Sequence, residues 1–532
     1  MKKKVQSILI VGGGSSGWMT GAAIVEQLPH VKVTLVESPD TPTIGVGEST
    51  LGHINQYFNF INLKDDDWMK HCNATYKTSI KFTDFKENPK ETPYSFHYPF
   101  GFYDYTDKPN QIMDWFIYKA YNPETPCNNF AEFYHDAVLM TDMNKMTYNE
   151  NEAIRNFYPD KDLAYHMNAT LFGEYLRDHV CKPKGLTHKY ANVTGASKDE
   201  DGYISKIHTD SGDLIADLYI DCTGFKSVLI EGEMGVPFEP FNDTLLNDRA
   251  IAAPIDYIDK DAEMECVTNC TAIENGWVWN TPLWDRIGTG YVYSSEFVSD
   301  DDALQEFQRH LKSNRMICQD DKRVNETDYR FIKIRHGKHK VAWEKNVIAV
   351  GLSNGFIEPL ESTGLMLTHE AIIKFVTALK VRDCYVNKFD IDSFNFSLNN
   401  QTKNFKDFVS AHYALSMRND TPYWKYITQE MTFCPELFDK NTIFSNEYIQ
   451  FILNTYDRRY ESNVLKGIYY IAAGMGYNPI DAPYEAFTRN KGSDPYYWEK
   501  VRDDWEMHRS KVMKIITRLP THYEFLKRTI YK

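Results

Sequence analysis

Near its start the chain reads Ile8-Leu9-Ile10-Val11-Gly12-Gly13-Gly14-Ser15-Ser16-Gly17-Trp18-Met19, and a second apolar stretch follows as Val31-Lys32-Val33-Thr34-Leu35-Val36-Glu37. The short apolar run at residues 7–11 predicts a strand buried on both faces, and residues 17–28 have the composition of a helix. The strand, the glycine-rich turn, the helix and the second apolar stretch, which ends in the acidic residue Glu37, together predict a dinucleotide-binding β-α-β unit.

The turn carries the pattern G-x-G-x-x-G at Gly12, Gly14 and Gly17. Gly12 would permit a tight turn, Gly14 would let a pyrophosphate approach the backbone, and Gly17 would let helix and strand pack closely. The helix N-terminus would offer N–H groups and the positive end of its dipole to the phosphates. Glu37, 20 residues after Gly17, would accept hydrogen bonds from ribose hydroxyls, which favours FAD or NAD over a 2′-phosphorylated dinucleotide. A glycine-rich turn without a ligand is the alternative.

The composition is that of a large globular protein. At 532 residues, with 42% hydrophobic and 25% charged residues, the chain is long enough for more than one domain. Its net charge of −15 argues against binding to nucleic acid or an anionic membrane, and no apolar run reaches the roughly 18 residues that a membrane span needs. The nine cysteines lack paired or zinc-binding spacing, so we expect reduced thiols, a cytoplasmic location and no metal site. The sequence leaves homo-oligomerisation open.

Two later segments again combine a buried strand with a glycine turn, at residues 217–224 and 347–355. Since no second full fingerprint accompanies them, we expect one FAD held by several distant segments and no NAD site. Residues 41–50 predict a loop at the carboxyl end of the sheet, where ligands bind. Further expectations are a helix over 51–72, a strand over 74–82, a long loop over 83–110 above a site, a helix over 165–190, strands within 275–297 and a mostly helical chain from about 385.

Several of these motifs resemble those of the flavin-dependent halogenases of the tryptophan halogenase family. The resemblance spans residues 7 to about 476. It rests on the glycine fingerprint and on Gly45-Val46-Gly47-Glu48-Ser49-Thr50, Tyr76-Lys77-Thr78-Ser79-Ile80-Lys81-Phe82, Trp277-Val278-Trp279-Asn280-Thr281-Pro282, Glu358-Pro359-Leu360-Glu361-Ser362-Thr363-Gly364, Asp407–Tyr413 and Asp420–Trp424. The fingerprint alone would indicate only a flavoprotein, whereas its combination with Lys77, the paired tryptophans and Glu361 is specific. Thr281 departs from the family pattern W-x-W-x-I-P, which has isoleucine there.

The resemblance implies a mixed α/β (α+β) protein with a flavin-monooxygenase-like FAD-binding fold that contains a Rossmann-type βαβ unit. It implies a core over residues 1–384 with inserted substrate-covering loops, and a mostly helical substrate module over residues 385–532. It also implies a reaction. FADH2 from a separate flavin reductase reacts with O2 to give a flavin hydroperoxide, which oxidises a halide ion (chloride, bromide or iodide) to hypohalous acid. A catalytic lysine then delivers the halogen to a small aromatic substrate.

Roles for individual residues follow from the same resemblance. Lys77 and Glu361 would be catalytic, and Thr363 and Gly364 would bind the halide. FAD would contact Gly12, Gly14, Ser15, Ser16, Gly17, Glu37, Val46, Ser49, Leu352 and Leu365. Flavin and substrate would be separated by Trp277, Trp279 and Pro282, and the substrate pocket would be lined by Tyr98, Phe100, Tyr469 and Tyr470.

The chemistry of these residue types agrees with the roles but leaves alternatives open. Lys77, in an apolar strand, could hold hypohalous acid, although a strand lysine is often solvated at a sheet edge. The N–H groups of the helix that starts near Thr363 could bind a halide, whereas Thr363 could simply cap that helix. Glu361 could act as a general base or only interact with the helix dipole. Trp277 and Trp279 point the same way from one strand and could form a wall or pack in the core.

Free tryptophan is not the expected substrate. Halogenases of free tryptophan carry an adjacent aromatic pair ahead of an Asn-Tyr-Tyr segment, whereas this chain has Asn463-Val464-Leu465-Lys466-Gly467-Ile468-Tyr469-Tyr470. We therefore expect an electron-rich aromatic of the indole or phenol type. Two other functions stay open. A flavin-dependent aromatic hydroxylase would need neither Lys77 nor a tryptophan wall, and a non-catalytic FAD-binding protein would not need Lys77 and Glu361 together.

Overall fold

The computed structural model describes residues 4–40, 48–88, 92–101, 115–116, 118–119, 121–313, 320–431, 463–476 and 495–532. The chain divides into two compact units. The first unit contains residues 1–75, 165–242 and 333–405, and the second contains residues 76–164, 243–332 and 406–532. Each unit thus takes segments from three parts of the chain, and the division into a core of 1–384 and a helical module of 385–532 stays a prediction.

The strands of the described ranges carry the labels β1 to β21. They are Ser7–Val11 (β1), Lys32–Glu37 (β2), Glu48–Ser49 (β3), Thr75–Lys77 (β4), Ser79–Thr83 (β5), Ser95–Pro99 (β6), Ala164–Met167 (β7), Thr187–Tyr190 (β8), Val193–Lys198 (β9), Ile204–Thr209 (β10), Leu218–Asp221 (β11), Phe238–Pro240 (β12), Arg249–Asp256 (β13), Val267–Ile273 (β14), Gly276–Pro282 (β15), Arg286–Tyr293 (β16), Arg330–Lys333 (β17), Gly337–His339 (β18), Trp343–Glu344 (β19), Val347–Ala349 (β20) and Gly355–Phe356 (β21).

The α-helices of the same ranges carry the labels α1 to α16. They are Ser15–Gln27 (α1), Ile54–Phe60 (α2), Asp65–Trp68 (α3), Phe130–Tyr134 (α4), Ala137–Asp142 (α5), Pro159–Asp162 (α6), Ala169–Tyr175 (α7), Lys260–Glu263 (α8), Asp300–Ser313 (α9), Asp321–Glu326 (α10), Gly364–Val381 (α11), Lys388–Ala414 (α12), Pro422–Lys425 (α13), Asn463–Gly474 (α14), Pro495–Ile516 (α15) and His522–Thr529 (α16). None of these helices has both the length and the apolar character that crossing a bilayer requires.

The first unit is built on a six-stranded sheet in the order β19-β20-β11-β1-β2-β8. β1 pairs in parallel with β2 and with β11, and β11 pairs in parallel with β20. Parallel neighbours carry their carboxyl ends at the same edge of a sheet, which is where ligands bind in such folds. The three segments predicted to join a strand to a glycine turn are therefore brought side by side at this edge.

The second unit is built on a seven-stranded sheet in the order β17-β13-β16-β15-β14-β5-β6. β5 pairs in parallel with β14 and antiparallel with β6, while β15 lies between β14 and β16 in antiparallel pairings. The helix α14 packs on β6. The two faces of a sheet with antiparallel neighbours can carry different kinds of side chain, because successive side chains point to opposite sides.

The predicted β-α-β unit is confirmed as β1, α1 and β2, with α1 beginning at Ser15 rather than at residue 17. The helix expected over 51–72 is wrong in detail, because it breaks into α2, α3 and a 3-10 turn. Asn62, with φ of 55°, lies in the left-handed region between α2 and α3, and a helix cannot continue through that conformation.

Three other expectations are corrected. The strand expected over 74–82 divides at Thr78 into β4 and β5. The region 83–110, expected to be a loop, contains β6, in which Phe96, His97 and Pro99 are buried and which pairs with β5. The region 165–190, expected to be helical, begins and ends in the strands β7 and β8, and β8 completes the sheet of the first unit.

Candidate active site

The glycine turn after β1 has the close contacts that its sequence pattern predicts. Gly12 has φ of 110°, and a Cβ there would collide with the carbonyl oxygen of Cys222. A Cβ on Gly17 would collide with the carbonyl oxygen of Gly12. Gly14 differs, because no atom of the described residues beyond its two chain neighbours lies within 4 Å of the place that its Cβ would take. This open space beside the N-terminus of α1 fits a pyrophosphate, and a larger residue at Gly14 would fill it.

Glu37 ends β2 and lies against the same turn, since a Cβ on Gly13 would collide with its carboxylate. Its Oε1 is 2.6 Å from Nε2 of His188, a residue of β8. Burial lowers the pKa of His188, and the hydrogen bond to Glu37 opposes that shift. The ring of His188 also packs edge-on against Trp18, with centroids 4.9 Å apart. His188 thus orients the carboxylate that is expected to bind ribose.

Other residues expected at FAD lie in the same unit. A Cβ on Gly351 would come within 2.8 Å of Cβ of Ser16, so the 3-10 turn with Leu352 packs on the start of α1. Oγ of Ser362 donates to Oγ of Ser49 at 3.1 Å. Ser15 is the first residue of α1, and Leu365 is the second residue of α11. Val46 lies outside the described residues.

The start of α11 places backbone N–H groups beside an open position, as an anion site would require. The helix begins at Gly364, and in the described part of the chain no atom outside its own helix and its chain neighbours lies within 4 Å of the place that a Cβ there would take. The side chain of Thr363 makes no capping hydrogen bond, which removes the alternative role of helix cap. Its Oγ1 is buried and has no hydrogen-bond partner among the described residues. A small anion bound by the N–H groups of this first turn would supply one.

Glu361 and Glu358 precede this turn as buried carboxylates, 1% and 0% exposed. They lie on either side of Pro359 and Leu360, in a 3-10 turn that ends at Ser362, whose φ is 56°. A surface carboxylate that only interacts with the helix dipole would be solvated, and Glu361 is not. Carboxylates that act as general acids or bases in enzymes are commonly buried.

Lys77 ends β4 in the second unit and is fully buried. Its Nζ lies 4.9 Å from the ring centroid of Phe100, a cation–π distance. The alternative of a solvated lysine at a sheet edge does not hold for Lys77, whereas Lys81 is partly exposed. The ring of Phe100 is 6.4 Å from that of Tyr98, and Tyr98 is 5.6 Å from Tyr470. The second unit therefore brings Lys77 together with three of the four aromatic residues expected to line a pocket.

Tyr469 and Tyr470 are both buried in an aromatic core on α14. The hydroxyl of Tyr470 is 2.6 Å from Nε2 of His135. Burial lowers the pKa of His135 to about 4, so the ring is neutral at physiological pH. A neutral, hydrogen-bonded His135 fixes the orientation of the Tyr470 side chain.

Trp277 and Trp279 share one face of β15, with ring centroids 6.2 Å apart. Trp277 is fully buried, and Trp279 is partly exposed. The ring of Trp279 lies over Gly290 of β16, where a Cβ would collide with it. Pro282 ends the same strand and is buried. The pair therefore presents one enclosed and one accessible indole on the same face.

Sequence reasoning missed several polar groups near these residues. His188 lies in a region expected to be helical, and no sequence pattern indicates its contact with Glu37. Asp221, at the end of β11, is a buried carboxylate that accepts the N–H groups of Leu229 and Ile230 at 2.7 and 2.8 Å, and burial raises its pKa. In the sequence, Asp221 is indicated only by the small-residue turn that follows it. His97 lies between Ser79 Oγ and Asp142 Oδ1, 2.9 Å from each, and no sequence pattern joins these three.

Comparison with known proteins identifies the family of this chain. The tryptophan halogenase family profile matches residues 7–489, and the chain belongs to this family. The solved structure of VirX1 is 42% identical, covers 99% of this chain and 100% of that chain, and superposes with a TM-score of 0.90. Tar14, a tryptophan C-6 flavin-dependent halogenase from taromycin biosynthesis, is 30% identical with a TM-score of 0.80 and covers 98% of this chain and 99% of its own. Tryptophan 7-halogenase RebH of Lentzea aerocolonigenes is 29% identical over 99% of both chains.

These findings confirm the family, the mixed α/β FAD-binding fold and the enzyme class that the sequence predicts. The protein is an enzyme of the flavin-dependent halogenase type. Its family implies FAD and a halide as cofactor and co-substrate and supports aromatic halogenation.

Proposed function

We propose that this enzyme uses FADH2, O2 and a halide ion to halogenate a small, electron-rich aromatic compound of the indole or phenol type. The observation that carries the proposal is Lys77, an ammonium group enclosed in protein with its Nζ 4.9 Å from the ring of Phe100. Direct hydroxylation at a flavin needs no such group. A diffusing hypohalous acid, in contrast, needs a donor or an amine that holds it beside an aromatic ring.

FAD would be held by the glycine turn of Gly12, Gly14 and Gly17 together with Ser15, Ser16, Glu37, Val46, Ser49, Leu352 and Leu365. The open space at Gly14 and the position of Glu37 against the turn support this assignment. Bound FADH2, with O2, supplies the two-electron oxidation that converts halide to hypohalous acid. Since the chain has one dinucleotide fingerprint, a separate flavin reductase would supply the reduced cofactor.

The halide, whether chloride, bromide or iodide, would bind at the N-terminus of α11. The N–H groups of Thr363 and Gly364 would hold it, and the unpartnered Oγ1 of Thr363 would donate to it. Halides accept hydrogen bonds and carry a full negative charge, so the positive end of the helix dipole stabilises them. The size and low basicity of a halide ion suit a site made of backbone N–H groups without a cationic side chain.

Lys77 would hydrogen-bond the hypohalous acid, or its amine would react with the acid to give a haloamine and water. In either form it would present the halogen to a carbon of the substrate ring. The substituted ring must then lose a proton, and Glu361 would accept it as a general base. Trp277, Trp279 and Pro282 would keep the substrate from direct contact with the flavin, so that oxygen is not transferred to the ring. The aromatic side chains of Tyr98, Phe100, Tyr469 and Tyr470 would line the pocket.

Tryptophan is the substrate in the names of RebH and Tar14. In this chain, Ile468 stands directly before Tyr469-Tyr470, where halogenases of free tryptophan carry asparagine, and no aromatic pair precedes this segment within residues 463–470. A simpler aromatic compound therefore fits better than the free amino acid. We also propose that a mostly helical module, residues 385–532, contributes to binding it.

Product mass tests the proposal. The enzyme is incubated with FAD, a flavin reductase, NADH, O2, bromide and a panel of indoles and phenols. A product with the bromine isotope pair is expected. A product that gains only one oxygen would instead identify a hydroxylase, and FAD binding without any product would identify a non-catalytic flavoprotein.

A further inference from the structure

The carboxylate of Glu37 is held from two sides, and the two contacts involve different oxygens. Its Oε1 lies 2.6 Å from Nε2 of His188, a residue of the neighbouring strand β8. Its Oε2 lies over Gly13, since a Cβ on that glycine would collide with this oxygen. One oxygen is therefore bound to a side chain of the protein, and the other is directed over the glycine turn.

The hydrogen bond between these two side chains has a defined direction. An ionised carboxylate can only accept, so Nε2 of His188 carries the hydrogen and donates it to Oε1 of Glu37. Burial lowers the pKa of His188 below its ordinary value of 6.5, and the bond to Glu37 opposes this shift only in part, so the ring is neutral at pH 7. A neutral donor fixes the carboxylate and leaves its negative charge available to a ligand.

The imidazole of His188 is itself fixed by aromatic neighbours. Its ring centroid lies 4.9 Å from that of Trp18, at an interplanar angle of 83°, and 4.5 Å from that of Tyr190. Trp18 is buried and belongs to α1, the helix that follows the glycine turn. The side chain of His188 is only 7% exposed. The donor thus has a fixed position relative to the turn that is expected to bind the pyrophosphate.

We infer that His188 is a positioning residue that sets the affinity of this site for the adenosine half of FAD. It acts through Glu37: by binding Oε1 it stops the carboxylate from rotating, so that Oε2 stays over the glycine turn, ready to accept from a ribose hydroxyl. Without this donor, the binding of FAD must also order the carboxylate, which weakens the binding. The inference rests on the proposed function, because it takes FAD as the ligand of the glycine turn.

Two substitutions separate the hydrogen bond of His188 from its packing. His188→Phe keeps an aromatic ring against Trp18 but has no donor, whereas His188→Gln loses the ring but keeps an N–H group that can donate to Glu37. The fluorescence of FAD is titrated with each variant. We expect His188→Phe to bind FAD about tenfold more weakly than the parent, and His188→Gln to stay within about threefold of it. The reverse order, equal losses in the two variants, or parent affinity in His188→Phe would overturn the inference.

A double-mutant cycle tests whether the effect passes through Glu37. The affinity for FAD is measured in Glu37→Ala with and without His188→Phe, and the loss caused by His188→Phe should disappear in the Glu37→Ala background. The same loss in both backgrounds would mean that His188 acts on the site by another route, and the inference would fail. A parent protein that binds no FAD would instead contradict the proposed function.

His208→Phe is the matched control in the same unit. His208 also pairs with a carboxylate, since its Nδ1 lies 2.7 Å from Oδ1 of Asp213, but about a third of each side chain or more is exposed. Loss of this surface pair should leave the affinity for FAD unchanged. Similar losses in His208→Phe and His188→Phe would show that any such substitution weakens the unit in general, and would overturn the specific role of His188.

Discussion

Lys77→Ala separates the chemistry at the lysine from the chemistry at the flavin. Formation of halogenated product should fall by roughly 100-fold or more, because nothing then holds the electrophile against the ring. FAD should still bind and reduced flavin should still be reoxidised by O2, since the glycine fingerprint is untouched. Product formation and flavin reoxidation are measured side by side.

Lys81→Ala is the control for this substitution. Lys81 lies on the neighbouring strand β5 and is partly exposed, so its loss should change product formation little. Product formation by Lys77→Ala at the parent rate would refute the role of Lys77 and would revive direct oxygen transfer to the substrate.

Gly14→Val tests the cofactor site. The valine side chain would fill the open space at the N-terminus of α1, where the pyrophosphate is expected. The affinity for FAD should fall at least about tenfold, a loss of about 1.4 kcal/mol, in a fluorescence titration. Gly232→Ala is the control, because Gly232 is exposed and its Cβ has room. Unchanged FAD affinity in Gly14→Val would move the site elsewhere.

At the scale of single residues, the sequence predicts those whose roles depend on local geometry. Gly12, Gly14 and Glu37 follow from spacing along one β-α-β unit, and all three lie together in the structure. His188 could not be predicted, because it is 151 residues from the carboxylate that it orients and no local pattern joins them. The burial of Lys77 also depends on neighbours from distant segments.

At the scale of elements, the contact between α10 and α8 depends on an enclosed ion pair. Arg323 meets Glu263 at 2.7 Å, with the two side chains 9% and 1% exposed. Arg323→Ala would remove this cation from beside a buried carboxylate, and we expect a loss of about 3–5 kcal/mol in the free energy of unfolding measured in urea.

Arg330→Ala is the matched control for Arg323→Ala. Arg330 pairs with Asp328 at 3.5 Å on the surface, and both side chains are more than half exposed. Exposed pairs contribute about 0–1 kcal/mol, so the urea midpoint should barely move. Similar losses in the two variants would show that burial of the Glu263 carboxylate is unimportant.

The helix α16 carries a pH-dependent contribution to stability. It begins at His522, which is fully buried and whose Nδ1 lies 3.2 Å from the carbonyl oxygen of Met264. Burial lowers the pKa of His522 to about 4 from its ordinary value of 6.5. The folded state therefore prefers the neutral ring, so this stability is present above pH 6.5 and is lost as the pH falls towards 4.

His522→Gln removes the titrating group. The free energy of unfolding should differ between parent and variant most at pH 7, and the difference should shrink by up to about 3 kcal/mol between pH 6.5 and 4. Urea unfolding of both proteins across this range measures it. A difference that stays constant with pH would mean that His522 does not titrate differently in the folded and unfolded states.

Elements with a strong local signal were predictable, and elements set by tertiary pairing were not. β1, α1, β15 and β16 match their predictions closely. β6 lies in a stretch rich in Pro, Asn and Asp on both sides, and its strand conformation comes from pairing with β5. β8 is short and mostly exposed, so no apolar pattern marks it, and its pairing with β2 decides its structure.

At the scale of the whole molecule, the segments expected to hold the cofactor are far apart in the sequence. The sheet of the first unit takes strands from three separated stretches, of which β1, β11 and β20 become neighbours. The sequence showed that these three stretches share a strand and a glycine turn, which is why one cofactor held by distant segments could be predicted. Their order in the sheet required long-range pairing that no local pattern records.

The single fingerprint also predicts how the molecule obtains electrons. Only residues 8–37 of the whole sequence carry a full dinucleotide pattern, and FAD is expected to occupy that site. The protein with NADH and FAD should therefore oxidise NADH no faster than free FAD does. Addition of a flavin reductase, or of chemically reduced FAD with O2, should start halogenation of the aromatic substrate. The absorbance of NADH and the brominated product are followed together, with heat-inactivated reductase as the control. Rapid oxidation of NADH by the protein alone would reveal a nicotinamide site that the sequence pattern misses, and the enzyme would then need no separate partner.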